Sequence, residues 1–343
     1  MPQINIQVLL NLLSKCTAGR IINALKVWSS YWLSRLLNRP IQWGLPISVA
    51  FEPTTHCNLR CPECPSGLRS FTRPTGMLEK SFFEKTIDEI HRELLYLTFY
   101  FQGEPYLHPD FLAMVRYASQ KNIYTATSTN AHYLNDENAK ATVESGLDRL
   151  IISIDGTTQE VYEQYRVGGS LEKALNGARN IVKWKRTLKS KTPFIVFQFL
   201  VVKPNEHQID NVKALAKQIG VDAIWLKTAQ INDYQNDPHQ LIPLKKAYSR
   251  YQKNADGSYT PKNKMYNHCW KLWHANVITW NGIVVPCCFD KDAGHPLGNL
   301  QTTSFKEIWQ SKHYKSFRTA LMNGRKNIDI CANCSEGLSV WKS

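Results

Sequence analysis

ISVAFEPTTHCNLRCPECPSG (47–67) runs from an apolar stretch straight into three cysteines, Cys57, Cys61 and Cys64. ISVAFEPT (47–54) reads as a β-strand, which puts the cysteines on the loop that follows it. Three thiolates within eight residues can hold three irons of a [4Fe–4S] cube and leave the fourth iron without a protein ligand. An open coordination position is a functional feature, on the logic by which catalytic zinc sites keep one. The rival readings are a three-cysteine zinc site completed by His56, and plain unliganded thiols.

Beyond this loop the chain alternates. LEKSFFEKTIDEIHREL (78–94) has helical spacing, YLTFYFQG (96–103) reads as a strand, and FLAMVRYASQK (111–121) as a helix. Further strands are expected at 123–130, 147–156, 193–202 and 221–227, with helices at 136–145, 171–188 and 206–219 between them. Six β–α units in series predict an α/β fold, a partial (β/α)6 barrel with functional residues at the C-terminal ends of its strands. The barrel is expected to span 46–228. A polar, proline-containing connection over the barrel mouth follows at 229–268, then a small C-terminal unit at 269–343.

A C-x3-C-x2-C loop at this place in a βα-repeat chain resembles the radical S-adenosylmethionine (radical SAM) superfamily. The resemblance implies that the open iron chelates the amino and carboxylate groups of the cosubstrate. It also implies cleavage to a 5′-deoxyadenosyl radical that abstracts a substrate hydrogen, chemistry carried by the cofactor. Further matches fall where the strands end. Gly103, Glu104 and Pro105 resemble the family's GEP motif, whose glutamate meets the methionine ammonium. Ser128 and Asn130 close the third strand. Ser153 and Asp155 close the fourth, where the family hydrogen-bonds the ribose. Arg166 in YRVGG matches an arginine that pairs with the methionine carboxylate in related enzymes. One departure stands out. The residue before the third cysteine is often aromatic in the family and packs near the adenine, whereas here it is Glu63.

Five cysteines lie in the C-terminal unit. Cys269 and Cys287 are separated by seventeen residues, Gly282 precedes Cys287 at G-x4-C spacing, and Cys331 and Cys334 form a C-x2-C pair. This is similar to the SPASM/Twitch extensions of radical SAM enzymes in their shortened form. The resemblance implies one auxiliary [4Fe–4S] cluster held by Cys269, Cys287, Cys331 and Cys334, with Cys288 as the alternative to Cys287. A structural zinc on the same four thiolates is the rival reading. A fully ligated cluster suits electron transfer, so oxidation of the substrate radical is expected, with a flavodoxin or ferredoxin as electron donor.

Residues 1–45 have a different character. Apolar residues recur there at helical spacing (Leu9, Leu10 and Leu13, then Ile21, Ile22 and Leu25), among Trp28, Tyr31, Trp32 and scattered Lys and Arg. They predict an amphipathic helical extension that either packs on the barrel or lies in a membrane interface; no apolar run reaches the roughly 18 residues of a span. No secretory signal is read at the start, and thiolates reserved for metal imply the cytoplasm, with the inner face of the membrane as a possible peripheral site. Cys16 reads as a small buried hydrophobe.

The formal charge of +14 favours an anionic partner without choosing one. Three functions compete. The first is an oxidoreductase of dehydrogenase type acting on a small molecule, sugar or lipid head group, the reading closest to aminocyclitol-alcohol dehydrogenases. The second is a peptide-modifying maturase, for which the basic charge suits an acidic leader. The third is a non-catalytic, zinc-stabilised nucleic-acid binder; no stripe of basic residues interleaved with aromatics supports it. No general base stands out; His239, Asp233 and His268 are the candidates near the connection.

Overall fold

A computed structural model describes residues 6–262 and 265–334. Two helices open it, α1 (Ile6–Ser14) and α2 (Ala18–Leu37), followed by strand β1 (Ser48–Phe51). After the cysteine loop come α3 (Pro65–Leu68), α4 (Lys80–Ile90), β2 (Tyr96–Thr98), α5 (Phe111–Gln120) and β3 (Tyr124–Thr129). The repeat continues through α6 (Asp136–Glu144), β4 (Arg149–Ser153), α7 (Gln159–Tyr165), α8 (Leu171–Thr187), β5 (Phe194–Val201), α9 (Ile209–Ile219) and β6 (Ala223–Thr228). A small hairpin, β7 (Tyr251–Lys253) and β8 (Tyr259–Pro261), lies in the connection. The C-terminal unit contains α10 (Lys271–His274), β9 (Ala275–Ile278), β10 (Ile283–Val285), β11 (Gly298–Asn299), α11 (Phe305–Trp309), α12 (Lys312–Gly324) and α13 (Asp329–Ala332).

The six expected strands and five expected helices are all present. Strands β1, β2 and β4 stop earlier than their apolar runs, because the residues beyond them turn out of the sheet to build the site. Local chemistry explains the helix starts: Asn135, Thr158 and Ser170 each accept a backbone N–H from the first turn of α6, α7 and α8. Gly220, at φ +86°, ends α9 in the left-handed region that glycine tolerates.

The strand order is β11-β10-β9-β1-β2-β3-β4-β5-β6, nine strands in one curved sheet. From β9 to β6 every pairing is parallel; β10 and β11 add antiparallel edges. Ser48 is therefore opposite both Tyr96 on one side and Ala275 on the other. The C-terminal unit extends the barrel sheet itself. Val49, Phe51, Leu97, Phe99, Phe197 and Phe199 are fully shielded within the sheet's core, as expected for strands covered on both faces. Trp273, Trp309 and Tyr314 box in the buried Arg318 guanidinium at 4.3–5.7 Å, fastening α11 and α12 beneath β9.

Parallel strands give the barrel two distinct ends. Helices α1 and α2 cross the end where the strands begin: Asn11 and Lys15 reach Asp148 just before β4, and Arg20 reaches the carbonyls of His91, Lys121 and Asn122 ahead of β2 and β3. The cysteine loop lies at the opposite end, the mouth. No described helix is long and apolar enough to cross a membrane.

Candidate active site and metal centres

Cys57, Cys61 and Cys64 lie on the β1–α3 loop, Cys61 buried and the other two half-buried, and no disulfide joins any of the nine cysteines. Loop and barrel are stitched together by backbone bonds: Glu104 N–H donates to the His56 carbonyl at 2.8 Å, and Arg60 N–H to that of Val167 at 2.9 Å. Ser66 Oγ accepts the Gly103 N–H at 2.9 Å. Gly103 sits at φ +74°, and a Cβ there would lie 2.1 Å from the Thr54 carbonyl oxygen. Only glycine allows this approach between the β2 loop and the cysteine loop. Burial pushes the Cys57 thiol up to about 12 and raises Cys61 as well, against the pull of Arg166. Such thiols ionise when a cation arrives to share them.

Glu104 is 2% exposed, and its carboxylate accepts only from neutral donors among its hydrogen bonds: Thr129 Oγ1 at 2.7 Å, Asn130 N–H at 2.8 Å and Tyr106 N–H at 3.3 Å. Burial raises its pKa, and these three bonds hold it back. A buried carboxylate so arranged fits an incoming ammonium. Asn130 also donates from Nδ2 to Asn58 Oδ1 at 2.8 Å, so its side chain braces the cysteine loop.

Arg166 caps α7 and aims its guanidinium at the loop, with Nη1 3.7 Å from Cys61 Sγ. Its Nε donates to Asp155 Oδ2 at 2.5 Å, while the other Asp155 oxygen accepts Leu200 N–H at 2.7 Å. Burial is the largest influence and works against the charge on Arg166, but Asp155 and Cys61, with Tyr162 and Tyr165, together outweigh it and leave the pKa raised. Both oxygens of Asp155 are thus engaged within the protein, and its first role is to hold Arg166. Ser128 and Ser153 stand at the mouth ends of the adjacent strands β3 and β4, half-buried and buried respectively. Pro105 begins a short 3-10 turn that fixes Glu104 at its N-terminus.

A cavity of about 500 Å3 opens beside the loop, with His56, Cys57, Arg69, Phe71 and Thr75 on its wall. The connection packs against the other side: Ile231, Leu241, Ile242 and Tyr251 cluster with Leu59, Cys61 and Tyr165. Glu63 explains its own departure from the aromatic pattern. It is buried, its carboxylate accepts the Asn232 N–H at 2.8 Å, and Lys291 Nζ reaches its carbonyl at 3.3 Å. Its side chain ties the cysteine loop to the connection. Asp233 and His239 are exposed on that connection, and His268 lies elsewhere, stacked on Tyr266 with Nδ1 3.4 Å from the Tyr31 hydroxyl of α2.

In the C-terminal unit Cys269, Cys287, Cys331 and Cys334 line one small cavity together with Arg325 and Lys271. Cys288 is not among them; its Sγ lies 3.2 Å from Lys271 Nζ. Arg325, fully buried, donates from Nη2 to Cys334 Sγ at 3.3 Å, a bond that no spacing pattern signals. Among the described residues no three His, Cys, Asp or Glu side chains are grouped as a single metal ion requires. Four thiols around one cavity can close all four irons of a cube, and a zinc would use the same set.

Residues 51–225 match the model of the radical SAM superfamily, and residues 269–335 that of SPASM, an iron–sulfur cluster-binding domain. The chain belongs to the radical SAM superfamily and carries a SPASM-type region. It is accordingly a radical SAM enzyme whose cofactors are S-adenosylmethionine and [4Fe–4S] clusters, and the zinc-stabilised nucleic-acid binder is set aside. It is 27% identical over 313 residues to the tungsten-containing aldehyde ferredoxin oxidoreductase cofactor-modifying protein of Pyrococcus furiosus, covering 83% of this chain and 86% of that one. It is 31% identical over 175 residues to the mycofactocin maturase MftC of Mycobacterium ulcerans, covering 51% of this chain and 45% of that one. Its fold is similar to that of Streptococcus suis SuiB bound to S-adenosylmethionine, at a TM-score of 0.63 and 12% identity, over 91% of this chain and 76% of that one.

Proposed function

We propose that this enzyme is a cytoplasmic radical SAM maturase that oxidises a peptide, or a cofactor precursor, and draws its electrons from a flavodoxin or ferredoxin. One observation carries this reading: the similarity to a cofactor-modifying protein, 27% identical, extends over 83% of the chain. The shorter match to a maturase agrees with it. A basic rim adds charge complementarity, since Arg60, Arg69 and Lys203 are exposed around the mouth of a chain of formal charge +14, suited to an acidic precursor. Acting on a lipid head group is the weaker reading, because the helices that would meet lipid lie at the opposite end of the barrel from the mouth.

The chain's own residues do the binding and orienting. Cys57, Cys61 and Cys64 would hold the first cluster, and Cys269, Cys287, Cys331 and Cys334 the second. Glu104 would take the methionine ammonium, and Arg166, aligned by Asp155, the carboxylate. Ser128 and Ser153, at the mouth ends of β3 and β4, would serve the ribose. Packing of the connection on Leu59 and Cys61 covers one side of the loop. Bound there, the groups supply a 5′-deoxyadenosyl radical that removes a substrate hydrogen and, at the second site, an acceptor for the electron that oxidation releases.

The test is deuterium transfer. Anaerobically reconstituted enzyme is given deuterated acidic peptides and, separately, deuterated free polyols, and 5′-deoxyadenosine is analysed by mass spectrometry. Deuterium in 5′-deoxyadenosine with a dehydrogenated or cross-linked peptide is the expected result. Transfer from a free polyol and from no peptide would overturn the proposal.

A further inference from the structure

Helix α2 is amphipathic with its faces reversed. Toward the barrel it presents Arg20, Asn23, Val27, Ser30, Tyr31 and Ser34. The polar members of that face are bonded into the protein: Arg20 donates from its two terminal nitrogens to four carbonyls, Asn23 exchanges two bonds of 2.9 Å with Leu45, and Ser34 Oγ bonds both the N–H and the carbonyl of Ile41. Opposite this face, Ile21, Leu25, Trp28, Trp32 and Leu36 recur at three- and four-residue intervals and are all exposed, Leu36 by 80%. Helix α1 continues the patch with exposed Ile6, Leu10 and Leu13. A patch of this kind on a folded domain marks an interaction surface.

Charge selects the occupant. The first 51 residues contain no Asp or Glu. Lys26, Arg35 and Arg39 are exposed on α2 and its C-terminal edge, and the Arg35 guanidinium lies 4.6 Å from the Trp32 ring. Trp28 and Trp32 pack edge to face at 6.2 Å. Indoles and cations bordering an aliphatic stripe suit the boundary between headgroups and acyl chains. A second copy docked through the same face about a two-fold axis would set these cations against their own equivalents, with no acidic residue of the segment to meet them.

We propose that the outer face of α1 and α2 docks on an anionic phospholipid bilayer, with the barrel standing on the membrane and its mouth turned to the aqueous side. The face is an attachment surface and not a route for lipid into the site, because the helices cover the end of the barrel away from the cysteine loop.

Flotation of the full chain, reconstituted anaerobically, with vesicles tests this. The chain is expected to float with phosphatidylcholine–phosphatidylglycerol vesicles and to be left behind by phosphatidylcholine alone. A Leu25→Ser/Trp28→Ser/Trp32→Ser variant should lose at least about tenfold in partitioning, while its melting temperature and its cleavage of S-adenosylmethionine stay unchanged. A Lys26→Glu/Arg35→Glu variant, with the apolar stripe intact, should also lose at least about tenfold, each cation near an anionic surface counting for about fivefold. Failure of the parent chain to float, or equal flotation of the triple serine variant, overturns the proposal. So does a dimer in sedimentation analysis that the triple variant converts to monomer, which assigns the face to a second copy.

Discussion

Replacing Glu104 by Gln separates the charge of this carboxylate from its shape. In the unliganded protein two effects oppose each other. The charge is buried among neutral donors, so removing it relieves a desolvation cost, which burial's upward push on the pKa also signals. The new amide, however, turns a donor toward the Asn130 N–H, which now bonds Oε2 at 2.8 Å. Leaving that buried N–H unpaired costs about 1–3 kcal/mol. The two oppose each other, so the melting temperature of the cofactor-free chain should fall by less than the unpaired N–H alone would cause.

Binding of S-adenosylmethionine has no such compensation. A hydrogen bond between its ammonium and an ionised carboxylate is worth about 1.5–3 kcal/mol net, which is about 10- to 150-fold in Kd. Glu104→Gln should therefore weaken binding by that factor in equilibrium dialysis on cluster-loaded protein, with the iron content unaltered. Binding within about twofold of the parent protein, at unchanged stability, would refute the assignment of Glu104 to the ammonium.

Alanine at Cys57, Cys61 and Cys64 together should lower iron from roughly eight to roughly four per chain and abolish reductive cleavage of S-adenosylmethionine. Cys287→Ala should lose the second cluster alone, whereas Cys288→Ala should keep both, as iron and sulfide analysis with electron paramagnetic resonance will show. Gly103→Ala forces a Cβ to within 2.1 Å of the Thr54 carbonyl at a positive φ, and should destabilise the chain by about 3 kcal/mol or more in chemical denaturation. Removing the Arg325 bond to Cys334 with Arg325→Met should move the second cluster's midpoint potential on the order of 50 mV negative, a donor to thiolate sulfur favouring the reduced form; a potentiometric titration reads this directly, and Arg325→Lys should recover part of the shift.

The barrel was legible because its signals are local. Each β–α unit carries an apolar run and a helical period within about thirty residues, and the motif residues fall where those runs stop. The C-terminal unit was legible only through its cysteines. Strands β9, β10 and β11 are two to four residues long and have no period to read. That β9 pairs with β1 depends on a contact more than two hundred residues away. The role of Glu63 was hidden for a similar reason: its partner, the Asn232 N–H, lies in a stretch with no pattern of its own. Helix α2 shows the limit of periodicity. Its spacing reveals an amphipathic helix but not which face is buried, and the face that packs inward is chosen by carbonyls of the barrel that satisfy Arg20.

The pairing of β9 with β1 also bears on how two metal sites work together. Glu52 directly follows β1, lies fully buried, and accepts from both terminal nitrogens of Arg73 at 2.9 and 2.5 Å. Its second partner is the Trp280 N–H at 3.2 Å, in the turn between β9 and β10. Arg73 in turn donates from Nε to the Lys291 carbonyl, and the Trp280 indole donates to that of Pro74 while its ring closes over Gly76. The segment following the three-cysteine loop is thus clasped by the turn and loop that carry Cys287. Breaking a buried pair such as Glu52–Arg73 costs about 3–5 kcal/mol, so the clasp does not open in ordinary fluctuations. Sheet pairing and clasp together set the separation of the two thiol sites within one rigid unit. Under the proposed function this suits electron transfer between a substrate at the mouth and a second cluster, and a C-terminal unit with so little secondary structure of its own is held in place by being built directly onto the first strand of the barrel.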